Sequence, residues 1–137
     1  MYKNRYIYPA IFDYAEDGIS VEFPDIPGCL TCGKTTEEAL ANAKEALELN
    51  MYGIEEDEEE VPKPSEPLDI KLEDNQSIVL IEVWMIPVRD YMRNKAVKKT
   101  LTIPSWLNDM AIENKVNFSQ ILKDSLEEYL GVKEKRR

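Results

Sequence analysis

The 137 residues suffice for one ordinary domain or two small ones, and 43% hydrophobic residues can supply a soluble core. The longest apolar run, residues 78–85, is broken by Glu82 and falls far short of the roughly 20 residues of a membrane span; no signal-like stretch opens the chain, so a cytoplasmic location without membrane contact is expected. The absence of histidine excludes imidazole acid–base chemistry, Ser-His and Cys-His nucleophiles and most transition-metal sites, so no catalytic residue, metal or cofactor is assigned.

The first elements read as strands. Tyr6 to Phe12 is aromatic and β-branched, Ile19 to Phe23 alternates strictly, and Cys29 to Cys32 follows the turn-forming run Pro24-Asp-Ile-Pro-Gly28. Asp13 to Gly18 is polar and ends in glycine, which suits a hairpin. Cys29 and Cys32 form a lone CxxC whose members, three apart in an extended stretch, point to opposite faces, so reduced structural thiols are expected. A helix then starts at the capping box Thr35-Thr-Glu-Glu38, continues through Ala39, Ala43, Leu47 and Met51, and is expected to stop at Gly53. The acidic run Glu55 to Glu60, followed by three prolines, predicts a solvated loop over 53–76. Ile78 to Ile86 resumes as a strand, apolar on both faces as in a strand inside a covered sheet. The order βββαβ defines an α+β domain over residues 1–87, with a basic connector of weak periodicity over 88–96.

Residues 97–137 have a different pattern. Val97 to Ile103 alternates over its last five residues, Pro104 can open a helix, and Trp106, Leu107, Met110 and Ala111 share one helical face. Asn117-Phe-Ser-Gln120 caps a second helix with an apolar face at Phe118, Ile121, Leu122, Leu126 and Leu130, closed by Gly131. One strand and two helices in so short a segment can neither pair their edge nor bury their faces alone. Two copies solve both problems, by forming a two-stranded antiparallel ribbon over interlocked helices, so a homodimer is the expected minimum and contact between N-terminal domains could extend it to a tetramer. Such a ribbon fits the major groove of DNA. With Leu101 and Ile103 turned inward, Lys98, Thr100 and Thr102 face the bases, while the free amides at Asn117, Phe118 and Ser119 suit a phosphate. Lys99 falls on the inward phase. The charge is divided to match: residues 1–88 carry 6 Lys/Arg against 20 Asp/Glu, a balance of −14, whereas residues 89–137 carry 11 against 7, a balance of +4. An acidic part attracts a basic partner, and a basic part approaches phosphate.

Taken together, Ile19-Ser-Val-Glu-Phe-Pro-Asp-Ile-Pro-Gly-Cys29, Gly33-Lys-Thr-Thr-Glu-Glu-Ala-Leu-Ala-Asn-Ala-Lys-Glu-Ala-Leu47, Leu101-Thr-Ile-Pro-Ser-Trp-Leu107 and Asn117-Phe-Ser-Gln120 resemble the HicB antitoxin family. Both ends of the chain take part, and the acidic loop at 53–76 lies outside the likeness. The resemblance implies a degraded ribonuclease-H-like N-terminal domain and a C-terminal ribbon-helix-helix motif that represses the shared operon from its operator DNA. It also implies a partner of the HicA type, a small basic mRNA-cleaving toxin whose active site is occluded. Within the N-terminal domain, Glu22, Pro24, Asp25 and Gly28 are the candidate toxin contacts.

Two other readings remain open at this stage. One is a DNA-binding regulator without a toxin. The other is a metal-dependent nuclease, for which Asp13, Asp17, Glu22 and Asp25 are carboxylates of the right type. Against it, Asp13 and Asp17 bracket a turn, and Glu22 alternates with Val21 and Phe23 toward solvent.

Overall fold

The computed structural model describes residues 1–132; the last five residues of the segment expected over 97–137 lie outside the described residues. The chain divides into two compact units, Met1–Ala96 and Val97–Arg137.

The first unit is a four-stranded antiparallel sheet packed on a helix. Its strands are β1 (Arg5–Ala15), β2 (Gly18–Glu22), β3 (Leu30–Gly33) and β4 (Gln76–Trp84), in the order β3-β2-β1-β4. Alternation sends Tyr6, Tyr8, Ala10 and Phe12 of β1, Ile19 and Val21 of β2, and Ile81 and Val83 of β4 to one face, all buried. Helix α1 (Thr36–Glu56) covers that face with Ala39, Ala43, Leu47 and Met51, each fully buried and spaced at helical intervals. Thr35 caps α1, its hydroxyl accepting from the Glu38 amide at 3.1 Å. Gly33 is required where β3 meets the helix, because a Cβ there would stand 2.4 Å from the Ala39 nitrogen.

Three expectations are corrected. Helix α1 passes through Gly53 to Glu56, because Tyr52 and Ile54 pack against the core and outweigh the roughly 1 kcal/mol that glycine costs in a helix. The connector expected over 88–96 is largely a helix, α2 (Met85–Asn94), whose Met85 and Val88 are buried and whose Met92 packs against the core. Pro87 lies in its first turn, where no intrahelical donor is lost. And β4, read as an inner strand, is an edge strand with β1 as its single neighbour.

The acidic loop is also less free than its composition predicts. The Tyr8 hydroxyl donates to the Pro62 carbonyl, Tyr2 to the Glu59 carbonyl, and Val61 packs on the core. At the end of α1, Arg89 grips Glu55 with two N–H···O bonds of 2.8 and 2.9 Å and donates to Asn4 Oδ1 and the Lys3 carbonyl. The chain's beginning, α1 and α2 are thus tied at one cation.

The second unit holds α3 (Ser105–Glu113) and α4 (Phe118–Leu130), preceded by residues 95–104 without regular structure. The strand expected over 97–103 is thus not formed in the single chain, which offers its backbone no ladder partner. Asn117 caps α4 by accepting from the Gln120 amide at 3.1 Å, and Gly131 ends it with φ +70.

Candidate functional site

Not one of the described residues of the second unit is buried. Its apolar side chains line a groove of about 800 Å³: Leu101 and Ile103 on the extended segment, Leu107 and Met110 on α3, Phe118 and Ile121 on α4. A solvated groove of this kind has no stability of its own and calls for a covering surface. Leu101 is 60% exposed, Phe118 46% and Ile121 51%, so about half of each side chain still awaits burial.

The extended segment divides by phase. Lys99, Leu101 and Ile103 line the groove, while Lys98, Thr100 and Thr102 do not and are exposed. The structure thus separates the expected base-facing set from the expected packing set, with Lys99 on the groove side as its phase requires. At the start of α4, Asn117 uses its side-chain oxygen as a cap. Among the described residues, the amides of Phe118 and Ser119 have no hydrogen-bond partner. These two N–H groups and the positive end of a 13-residue helix are what a phosphate needs.

In the first unit, the expected toxin contacts lie together but differ in character. Glu22 ends β2 on the helix-free face of the sheet and is exposed. The following turn is closed by Ile26 N–H to the Phe23 carbonyl and Cys29 N–H to the Ile26 carbonyl, and it buries Ile26 while leaving Pro24, Pro27 and Gly28 exposed. Gly28 has φ +82, a conformation that favours glycine. The Asp25 carboxylate is already engaged, accepting from the amide and the hydroxyl of Ser65. It thereby fastens the acidic loop to the turn. Sequence reasoning missed this link, since no short-range signal connects positions 40 apart. The consequence is a groove of about 470 Å³ in which Ile26 and Pro27 of the turn face Asp57, Glu59 and Glu60.

The remaining carboxylates do not converge. Asp13 accepts from Asn75 and Gln76, and among the described residues no group of three His, Cys, Asp or Glu side chains could hold a metal ion. Cys29 is buried and Cys32 exposed, both as free thiols, and burial pushes the Cys29 thiol up to about 11. No helix among the described residues is long and apolar enough to cross a membrane.

Known proteins resemble the chain over most of its length. The family model of the HicB-like antitoxin of bacterial toxin–antitoxin systems matches residues 8–124. A 14.9 kDa protein from the rep-hol intergenic region of Haemophilus phage HP1 is 35% identical over 101 residues, covering 74% of this chain and 75% of the phage protein. Antitoxin HicB 2 of Photorhabdus laumondii is 50% identical over 58 residues, 42% of each chain. Among solved structures, a chain of a toxin–antitoxin complex from Streptococcus pneumoniae superposes with a TM-score of 0.60 at 30% identity, covering 91% of this chain and 99% of its own.

Proposed function

The chain belongs to the HicB-like antitoxin family of toxin–antitoxin systems, and from that premise we propose that it binds a small basic HicA-like toxin through its first unit and operator DNA through its second. Antitoxins of this family are regulators and not enzymes, so the work is binding at both ends.

The observation that carries the DNA half is the unburied second unit with its phased extended segment. Two copies pair residues 97–103 into an antiparallel ribbon, close the two grooves on each other, and present Lys98, Thr100 and Thr102 twice on the outer face, as a ribbon-helix-helix dimer. Lys98 donates to guanine, and the threonines bond base edges or meet a thymine methyl. Phe118 and Ser119 hold the flanking phosphates through their amides, which Asn117 orients by capping the helix. A dimer so seated upstream of its own gene excludes polymerase and represses the operon.

For the toxin half, the support is charge. The first unit carries 9 Lys/Arg against 21 Asp/Glu, a balance of −12, over a β-β-β-α-β layout that we read as a degraded ribonuclease-H-like scaffold kept as a binding platform. Glu22 and the turn at Pro24, Asp25 and Gly28 meet the toxin, with Asp25 acting through the shape it gives the turn. Both halves operate in the cytoplasm, where the mRNA and the operator are.

The test is a fluorescence-anisotropy series on the DNA upstream of the gene, with each variant first shown to be folded. Lys98→Ala costs roughly 1–3 kcal/mol per half-site and relaxes one base preference, while Ser119→Ala weakens all sequences about equally. If Lys98→Ala, Thr100→Ala and Thr102→Ala all bind like the parent, the ribbon is not the reading surface.

A further inference from the structure

Strand β4 is nine residues long, lies at the sheet edge, and contains no proline. Two backbone bonds that flank its ladder with β1 fix the phase: Met85 N–H to the Asn4 carbonyl and Tyr14 N–H to the Asn75 carbonyl. With the pairing Tyr6↔Val83, Tyr8↔Ile81, Ala10↔Val79 and Phe12↔Ser77, it is the odd residues of β4 that bond to β1. Ile78, Leu80 and Glu82 therefore turn their N–H and C=O groups away from the sheet, and Trp84 its N–H. Among the described residues nothing hydrogen-bonds to them.

The opposite edge is treated differently. Strand β3 has four residues, packs along α1, and its Cys32 carbonyl accepts from the Asn42 amide at 2.8 Å. Natural edge strands are blunted by shortness, charge, proline or a cover, and β3 has two of these devices. On β4 the single charge, Glu82, is neutralised by Arg5 at 3.0 Å. Around it the helix-free face is apolar: Leu80 is 56% exposed, Ile7 48% and Trp84 46%, the last lying under the Arg5 guanidinium.

We propose that the β4 edge is where the basic partner docks, by adding an extended segment antiparallel or parallel to Gln76–Trp84. This rests on the toxin-binding reading above and extends its Glu22 contact, which lies across Ile11 from Ile78 on the same face of the sheet. Main-chain bonds to Ile78, Leu80 and Glu82 supply affinity, and apolar side chains of the added strand cover Leu80 and Ile7. The occupant is a basic protein and not a second copy, because a unit with a balance of −12 repels its own kind and attracts a cationic one.

The test uses the full chain and, as the probe, a purified small basic toxin of the HicA type. Leu80→Pro removes one outward N–H and leaves the ladder to β1 intact, a placement that edge strands tolerate. Leu80→Thr keeps the N–H. The proline variant weakens binding on the order of 10- to 100-fold, the threonine variant much less, and light scattering of the free chain is unchanged. Should Leu80→Pro unfold, Leu80→Lys replaces it, since an exposed lysine both blocks strand addition and repels a basic partner. Parent-like binding by the folded variant overturns the proposal. So does intact binding with a smaller assembly, which gives the edge to a second copy. A parent chain that fails to bind the probe at all overturns the toxin reading itself and this one with it.

Discussion

Leu101 and Thr102 are neighbours on one extended segment, and substituting each with aspartate produces opposite defects. Leu101, Ile103, Leu107, Met110, Phe118 and Ile121 are between 41% and 60% exposed in the single chain. Full burial of such a side chain contributes about 1.5–3 kcal/mol, so covering the remaining half yields roughly 1 kcal/mol each and on the order of 10 kcal/mol per dimer. Association costs about 4–15 kcal/mol in lost freedom, a term of the same order, so the interface has no large surplus to lose. Leu101→Asp removes two apolar contacts per dimer and places two unpaired carboxylates in the closed groove, a loss of several kcal/mol that shifts the dissociation constant by about three decades or more. Thr102→Asp puts its carboxylates on the outer face, so the dimer survives while DNA is repelled. Light scattering across nanomolar to micromolar concentrations reads the first effect and operator anisotropy the second. If Thr102→Asp splits the assembly, or Leu101→Asp leaves it whole, the phase assignment and the ribbon model built on it are wrong.

In the first unit, Gly33→Ala forces a Cβ against the backbone of α1 and should lower unfolding stability by roughly 2 kcal/mol or more in a denaturant titration, with no effect on ligand contacts. Arg89→Ala strands Glu55, whose side chain is 8% exposed, and should cost about 3 kcal/mol and loosen α2; Arg89→Lys recovers only part because it cannot form the paired bonds. Burial raises Tyr8 to about 12 and Cys29 to about 11, so each contributes stability that is complete below its unfolded value and is lost as pH rises through the folded one; unfolding should therefore set in between about pH 9 and 12, and Tyr8→Phe should shift the midpoint upward in a spectroscopic alkaline titration.

Local signals carried the elements whose stability is local. The capping box at Thr35, the alanines of α1, and the Asn117 and Gly131 caps of α4 each act within a turn or two, so their residue types suffice. In the second unit the two helices were legible for the same reason, whereas the strand expected over 97–103 does not form in the single chain. What escaped were decisions made by distant partners. Helix α2 depends on Met85 and Val88 reaching a core built elsewhere and on Arg89 meeting Glu55, 34 positions away. The loop after α1 was read as solvated because its charges repel, yet Tyr2 and Tyr8 hold its carbonyls and Ser65 holds Asp25. Among the candidate contacts, Glu22 reads correctly as turned toward solvent. Asp25 does not, since only its fold partner reveals that its carboxylate is occupied.

The case of β4 shows why hydrophobic pattern alone cannot place a strand. Ile78, Leu80 and Trp84 on one face, with Val79, Ile81 and Val83 on the other, match a strand buried on both sides. In the single chain half of that set is uncovered, and the strand lies at the edge. Pattern records the surroundings in which a sequence works, including any partner, whereas the structure of one chain records only what that chain supplies. The difference between the two is therefore a map of missing surface. In the second unit, on the ribbon reading proposed above, the missing surface is a copy of the same groove. On β4, on the proposal above, it belongs to a basic partner, because the first unit's negative charge opposes self-pairing while the outward N–H and C=O groups can accept an extended chain. Both inferences use the same reasoning and fail independently: Leu101→Asp tests one, Leu80→Pro the other.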